Sequence, residues 1–222
     1  MAKFRVIEIK EGILAENDRQ AEEMRQELLA AKRLLVNLMS SPGSGKTTTL
    51  VQTIKALKDE FEIGVMEADI DSSVDAETIS ATGAKVIQLH TGGMCHLDAA
   101  MTRQGLDALG AEGLDLIVLE NVGNLVCPAE FDTGANKNVM ILSVPEGDDK
   151  PLKYPLMFEI VDLVLVNKMD VAPYFNFDLE KLKERVAKVN PKAKVIPISA
   201  LKAEGMDEWF EWLKAEVKAV KD

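Results

Sequence analysis

The stretch Ser40-Ser41-Pro42-Gly43-Ser44-Gly45-Lys46-Thr47-Thr48-Thr49 decides the fold. It follows an apolar run, Leu34–Met39, and leads into a helical segment, Thr47–Lys58. That strand–loop–helix context is what the phosphate-binding signature G-x-x-x-x-G-K-S/T requires. Ser40 stands in place of the first glycine, and an extra Gly43 sits inside the loop. Gly43 and Gly45 let successive amides turn inward to form an anion-binding concavity, and the helix start adds partial positive charge. Lys46 can reach the β- and γ-phosphates of a nucleotide, and the Thr47 hydroxyl can ligate magnesium. Ser44 and Thr48 complete the expected phosphate contacts.

Outward from this loop the chain alternates strands and helices. Strands are expected at Leu34–Met39, Gly64–Ala68, Lys85–His90, Leu114–Glu120, Asn138–Val144, Val161–Val166 and Lys194–Ile198. Helices are expected at Thr47–Lys58, Val74–Ala81, Leu97–Leu109, Leu179–Val189 and Met206–Val220. Near-continuous apolar strands separated by helices predict an α/β fold with a mostly parallel sheet, helices on both faces and right-handed crossovers. Ligands then bind at the carboxyl ends of the strands. Residues 34–222 form the expected main domain. Residues 1–33 form an N-terminal extension, with a short strand at Phe4–Ile9 and then a helix. Asn17 and Gln20 have the spacing of a capping box, and Ala21, Met24, Leu28 and Ala31 share one helical face.

The chain has 222 residues, 47% hydrophobic and 28% charged, with a formal net charge of −11. The composition is that of a globular chain. The acidic balance argues against nucleic acid as a partner, because phosphate neutralisation needs a surplus of cations. No apolar run approaches the roughly 18 residues of a membrane span, and the N-terminus carries no apolar signal core, so a cytoplasmic location is expected. Two cysteines cannot build a disulfide framework.

The run Val161–Val166 enters Asn167-Lys168-Met169-Asp170. This N-K-x-D stretch resembles the guanine-recognition motif of GTPases. The Asp170 carboxylate can accept from guanine N1–H and from its exocyclic amine together, a pair of donors that adenine lacks. Lys168 can lie along the base plane, and Asn167 can tie this loop to the phosphate loop. Ser199-Ala200-Leu201, after the last strand, resembles the supporting loop whose amides face guanine O6. Asn167–Asp170 speaks against a P-loop kinase.

The fourth strand ends in Glu120-Asn121-Val122-Gly123, where most GTPases carry D-x-x-G. Glu120 can hold magnesium through water, and the Gly123 amide can meet the γ-phosphate, which makes Lys46, Thr47 and Gly123 the catalytic set. The acidic loop after Gly64–Ala68 occupies the place of a first switch, and Asp71 and Asp75 are its leading magnesium candidates. No residue is assigned to positioning the attacking water.

Cys95 and His96 are adjacent in Thr91-Gly92-Gly93-Met94-Cys95-His96-Leu97-Asp98, and Cys127 lies four residues after Gly123. Both loops belong to the carboxyl edge of the sheet. Thiolate and imidazole suit Zn²⁺ or Ni²⁺. By spacing alone, buried packing cysteines and a three-ligand metal site both remain open. His90 ends a strand and reads as structural.

Together, Ser41-Pro42-Gly43-Ser44-Gly45-Lys46-Thr47-Thr48, Gly92-Gly93-Met94-Cys95-His96-Leu97-Asp98, Glu120-Asn121-Val122-Gly123-Asn124-Leu125-Val126-Cys127-Pro128 and Asn167-Lys168-Met169-Asp170 resemble the hydrogenase nickel-incorporation GTPases. These are metallochaperones of nickel–iron hydrogenase maturation. The resemblance implies a G domain of the signal-recognition-particle and MinD-like class, hydrolysing GTP to GDP with Mg²⁺. It implies GTP-dependent homodimerisation and a Zn²⁺ or Ni²⁺ site at the dimer interface built from Cys95, His96 and Cys127. It also implies work beside a zinc-containing nickel chaperone and a hydrogenase large-subunit precursor. Some relatives carry an N-terminal nickel store, which is not expected here because residues 1–33 contain neither cysteine nor histidine. The rival readings are a urease-type nickel chaperone GTPase and a GTPase with no metal role.

Overall fold

Strand β1 (Leu34–Ser40) is buried at every residue, as a strand must be when helices cover both faces of its sheet. The computed structural model describes residues 9–69 and 74–222. In it β1 is the central strand of a seven-stranded sheet ordered β3-β2-β4-β1-β5-β6-β7. The other strands are β2 (Ile63–Asp69), β3 (Lys85–His90), β4 (Leu116–Glu120), β5 (Lys137–Ser143), β6 (Leu163–Asn167) and β7 (Lys194–Pro197). Every pairing is parallel. The chain runs from β1 out to β2 and β3, returns to β4, then crosses to β5. That reversal opens the crevice beside the carboxyl end of β1.

The helices are α1 (Ile9–Ala30), α2 (Lys46–Leu57), α3 (Val74–Ser80), α4 (Ala99–Leu109), α5 (Cys127–Glu130), α6 (Lys150–Lys153), α7 (Pro155–Glu159), α8 (Leu179–Val189) and α9 (Met206–Lys221). Side chains alternate across β1 because a strand repeats every two residues. Leu34, Val36 and Leu38 join Leu50, Ile54 and Leu57 of α2 and Trp209, Leu213 and Val217 of α9 in one buried cluster. Leu35 faces the other way, with Ala21, Met24 and Leu28 of α1 and Leu106 and Leu109 of α4. Met39 shares that second face with Met157 and Phe158 of α7 and Leu182 and Val186 of α8. Full burial of each such aliphatic side chain contributes about 1.5–3 kcal/mol. No helix among the described residues is long and apolar enough to cross a membrane.

Several expected boundaries shift. β4 starts at Leu116, two residues late, because the amide of Asp115 is turned to the Glu62 carbonyl and its carboxylate pairs with Lys221 at 2.6 Å. β6 starts at Leu163. α4 starts at Ala99 because Asp98 caps it, accepting from Met101 N at 2.8 Å. Asn17 does not cap its own helix: it lies inside α1 and spends its side chain on distant backbone. Ala31 is exposed, since α1 ends at Ala30 and Lys32 turns into the left-handed region at φ 55°. Residues 4–8 of the expected first strand lie outside the described residues, and Ile9 opens α1. His90 ends β3 with its side chain exposed.

Candidate functional site

The phosphate loop joins β1 to α2. Gly43 and Gly45 have φ of 72° and 102°, in the left-handed region that glycine enters without steric cost. Gly45 has a second constraint: a Cβ there would lie 2.4 Å from Asn167 Nδ2. Lys46 points back across the loop and donates to Ser40 Oγ at 3.0 Å. Thr47 Oγ1 donates to Glu120 Oε1 at 3.3 Å. Ser44 is buried and Thr48 is exposed.

The Asn167–Asp170 loop is bonded to this one. Asn167 Nδ2 donates to the Ser44 carbonyl at 2.9 Å, and its Oδ1 accepts from Lys168 N at 2.8 Å and Ala200 N at 3.0 Å. Lys168 takes φ 65° and reaches over to the Gly43 carbonyl, 2.6 Å from its Nζ. Ser199 Oγ donates to Asp170 Oδ1 at 2.8 Å, which orients that carboxylate. A pocket of about 220 Å³ lies here, lined by Gly45, Thr48, Asn167, Lys168, Asp170 and Leu201 among others. The Ser199-Ala200-Leu201 loop departs from expectation. Ser199 N is committed to the Glu204 carbonyl at 2.9 Å and Ala200 N to Asn167, so these two amides do not face the pocket as donors.

The carboxyl end of β4 carries Glu120, 1% exposed. Its carboxylate lies with those of Glu67 and Asp75 in a cluster in which one oxygen from each lies within 4.8 Å of the others. Glu67 on β2 and Glu120 on β4 are register partners. Burial pushes Glu67 up to about 7, with Asp69 and Asp75 adding to the rise. Burial likewise pushes Glu120 up to about 8, opposed by the Lys46 ammonium. Glu67 Oε2 and Glu120 Oε2 have no hydrogen-bond partner in the described structure. Such buried oxygen donors, held back from ionising by burial and by one another, invite a hard cation. Asp75, one of the two leading magnesium candidates, lies in this cluster, while Asp71 lies outside the described residues. Glu67 was not foreseen; its signal was a lone charge inside an apolar strand, aligned with Glu120. Gly123 lies against the phosphate loop, where a Cβ would meet Pro42 N at 3.1 Å.

The second cluster holds Cys95, His96 and Cys127, with one ligand atom from each within 4.8 Å of the others. Gly92 and Gly93 both take positive φ, 63° and 95°, and bend the loop after β3. Thr91 Oγ1 then closes it by donating to the Met94 carbonyl at 2.7 Å. Cys95 Sγ and His96 Nδ1 are 3.8 Å apart. Cys127 opens α5, behind a turn in which Val126 N donates to Asn124 Oδ1 at 2.9 Å. The His96 ring stacks on Phe131, centroids 3.9 Å apart. Hydrogen bonding with the Cys127 thiol, then burial, pushes the Cys95 thiol up, and burial lowers His96. Neutral imidazole beside two thiols is the donor state a soft cation takes, since the cation itself draws off the thiol protons.

Lys150 and Lys153 are engaged locally, with the Glu146 carbonyl at 2.8 Å and Asp149 at 2.6 Å. Glu146 also went unforeseen: its side chain accepts from Ser143 N and Oγ at 2.7 Å each and from the Ser41 hydroxyl of the phosphate loop.

The sheet order, the phosphate loop and the loops around it define a P-loop nucleotide-binding protein with a GTPase fold. A family model, CobW/HypB/UreG, nucleotide-binding domain, matches residues 34–197. The hydrogenase maturation factor HypB of Escherichia coli (strain K12) is 47% identical over 97% of this chain and 74% of its own length. A crystal structure of HypB from Helicobacter pylori in complex with nickel has a TM-score of 0.86 at 38% identity, covering 92% of this chain and 96% of that one. The signal recognition particle receptor FtsY from Elizabethkingia anophelis, at 13% identity and TM-score 0.53, shares the fold over 81% of this chain and 64% of that one. The chain belongs to the CobW/HypB/UreG family, among the hydrogenase maturation factors HypB.

Proposed function

We propose that this chain is a GTP-hydrolysing nickel chaperone for hydrogenase maturation, acting in the cytoplasm as a GTP-dependent homodimer. Its partners are a zinc-containing nickel chaperone and a hydrogenase large-subunit precursor. The observation that carries this reading is the meeting of Cys95, His96 and Cys127 within 4.8 Å, one loop of which continues from the nucleotide-facing Gly123. The nickel bound by the Helicobacter pylori relative supports it.

In this reading the loop amides and Lys46 cradle the phosphates, and Lys46 exchanges Ser40 for the phosphate oxygens. Asp170 reads the guanine edge while Lys168 covers the base. Thr47, Glu120, Asp75 and Glu67 hold Mg²⁺, directly or through water; their oxygen donors and the two orphaned buried oxygens fit that ion. When bound, Mg²⁺ neutralises charge on the β- and γ-phosphates. The Gly123 amide responds to the γ-phosphate, and Cys127 follows four residues on. Nickel or zinc is cargo, held with GTP bound and loosened after hydrolysis. A ligand shifts such an equilibrium only by its differential affinity for the two states.

The test is metal content and dimer fraction with GDP and with a non-hydrolysable GTP analogue. More dimer and tighter metal are expected with the analogue. Cys95→Ala and Cys127→Ala variants that bind as much metal as the parent in both states would sink the reading.

A further inference from the structure

Asn17 lies inside α1 and is 8% exposed. Both ends of its carboxamide are engaged. Oδ1 accepts from Ala99 N at 2.9 Å, and Nδ2 donates to the Asp132 carbonyl at 2.9 Å. Ala99 opens α4, three residues after His96. Asp132 follows Phe131, whose ring lies on His96, and stands five residues after Cys127. One side chain therefore bridges the two loops that carry the three candidate ligands. The same helix holds the second loop at other points. Arg25 donates from Nη2 to both carboxylate oxygens of Asp132, at 2.7 and 2.8 Å, and from Nε to the Ala135 carbonyl at 3.0 Å. At Gly134 a Cβ would meet Met24 Cε at 2.3 Å and the Ala21 carbonyl at 3.0 Å.

We propose that Asn17 is the positioning residue of the metal site, setting the separation of the Cys95–His96 loop from the Cys127 loop. The inference rests on the reading that Cys95, His96 and Cys127 bind metal. Two loops from different strands have no covalent reason to keep a ligand spacing. A buried amide that donates to one and accepts from the other imposes it. It also satisfies a first-turn amide of α4 that Asp98, turned to Met101, does not reach. Outer-shell groups that fix ligand geometry in this way commonly carry about 10- to 100-fold in metal affinity.

The experiment titrates the full chain with Ni²⁺, reading the sulfur-to-nickel charge-transfer absorption and the affinity against a competing chelator. Nucleotide affinity and the thermal melt are measured beside it. Asn17→Ala should bind Ni²⁺ about 10- to 100-fold more weakly, with a shifted charge-transfer band and parental nucleotide affinity. Asn17→Asp keeps the bond to Ala99 N but sets a carboxylate against the Asp132 carbonyl, and should fall between. Parental affinity and spectrum in both variants would overturn the proposal, as would a loss of nucleotide affinity in step with metal affinity. If Asn17→Ala does not fold, Asn17→Asp decides: a parental band overturns the proposal, and a shifted band with weaker binding supports it. A Cys95→Ala/Cys127→Ala control that still binds Ni²⁺ like the parent overturns it by a different route, because the ligand reading itself has then failed.

Discussion

Asn167 Nδ2 donates to the Ser44 carbonyl at 2.9 Å, so the Asn167–Asp170 loop and the phosphate loop are one bonded unit. The same side chain accepts from Ala200 N at 3.0 Å, which adds the loop after β7. Asn167→Ala breaks three hydrogen bonds at once. Each contributes about 0.5–1.5 kcal/mol, so guanine nucleotide affinity should fall about 10- to 100-fold, with a lower melting temperature. Titration with a fluorescent GDP analogue checks this; unchanged affinity would disconnect the two loops.

Asp170→Asn replaces an acceptor with a group that also donates. Guanine then meets a donor where it needs an acceptor, while xanthine, with a carbonyl at that edge, gains a partner. Mispairing a buried polar group costs about 1–3 kcal/mol. GTP binding should therefore weaken about 10- to 100-fold, and XTP should compete better than GTP in the variant. Equal losses for both nucleotides would show that Asp170 does not read the base.

Glu67 and Glu120 make stability depend on pH. Both folded values lie above the ordinary glutamate value, at about 7 and about 8. Their contribution is then fully present below the unfolded glutamate range and is lost as pH rises through 7 and 8. The metal-free, nucleotide-free protein should melt at lower temperature at pH 9 than at pH 6. Glu67→Gln should flatten that slope, and Mg²⁺ should restore stability at the alkaline end by replacing the protons. A parent that melts at one temperature across this range would contradict the assignment.

Cys127→Ala should lower Ni²⁺ affinity at least about 100-fold, because a ligand lost from the metal costs more than an outer-shell partner. Phe131→Ala leaves all three donors in place but frees the His96 ring, and should cost less than that. Chelator competition ranks the two. A Phe131→Ala loss as large as that of Cys127→Ala would mean the stack, not the thiol, governs binding.

The parallel sheet was readable because Leu34–Met39 and its companions are near-continuous apolar runs, and the phosphate loop because the segment that follows such a run directly contains Gly45-Lys46-Thr47. The site residues that went unread share one property: their partners are remote in sequence. Asn17 looks like a helix cap from its neighbours, yet its partners are Ala99 and Asp132. Glu67 gains meaning only from the register that sets it beside Glu120. Glu146 acts on Ser41, 105 residues away. Ala200 N is taken by Asn167, 33 residues away, whereas Ser199 N is taken locally by Glu204, through a turn that the Ser199-Ala200-Leu201 stretch alone does not reveal.

Gly123, packed on Pro42, and Cys127 are joined by four peptide units. Fully stretched, that segment spans only about 14 Å, and the Asn124–Val126 turn already takes up part of it. In the proposed function a link this short limits how far Gly123 can move before Cys127 must follow. Cys95 and His96 hang from β3, on the other side of β2, and are not on that link. In the proposed function the Cys127 jaw of this three-donor vice is the one reached from the nucleotide, and the Cys95–His96 jaw is not. A thiol-bridging reagent spanning Cys95 and Cys127 should accordingly react at different rates with GDP and with a GTP analogue bound, and equal rates would mean the link is slack.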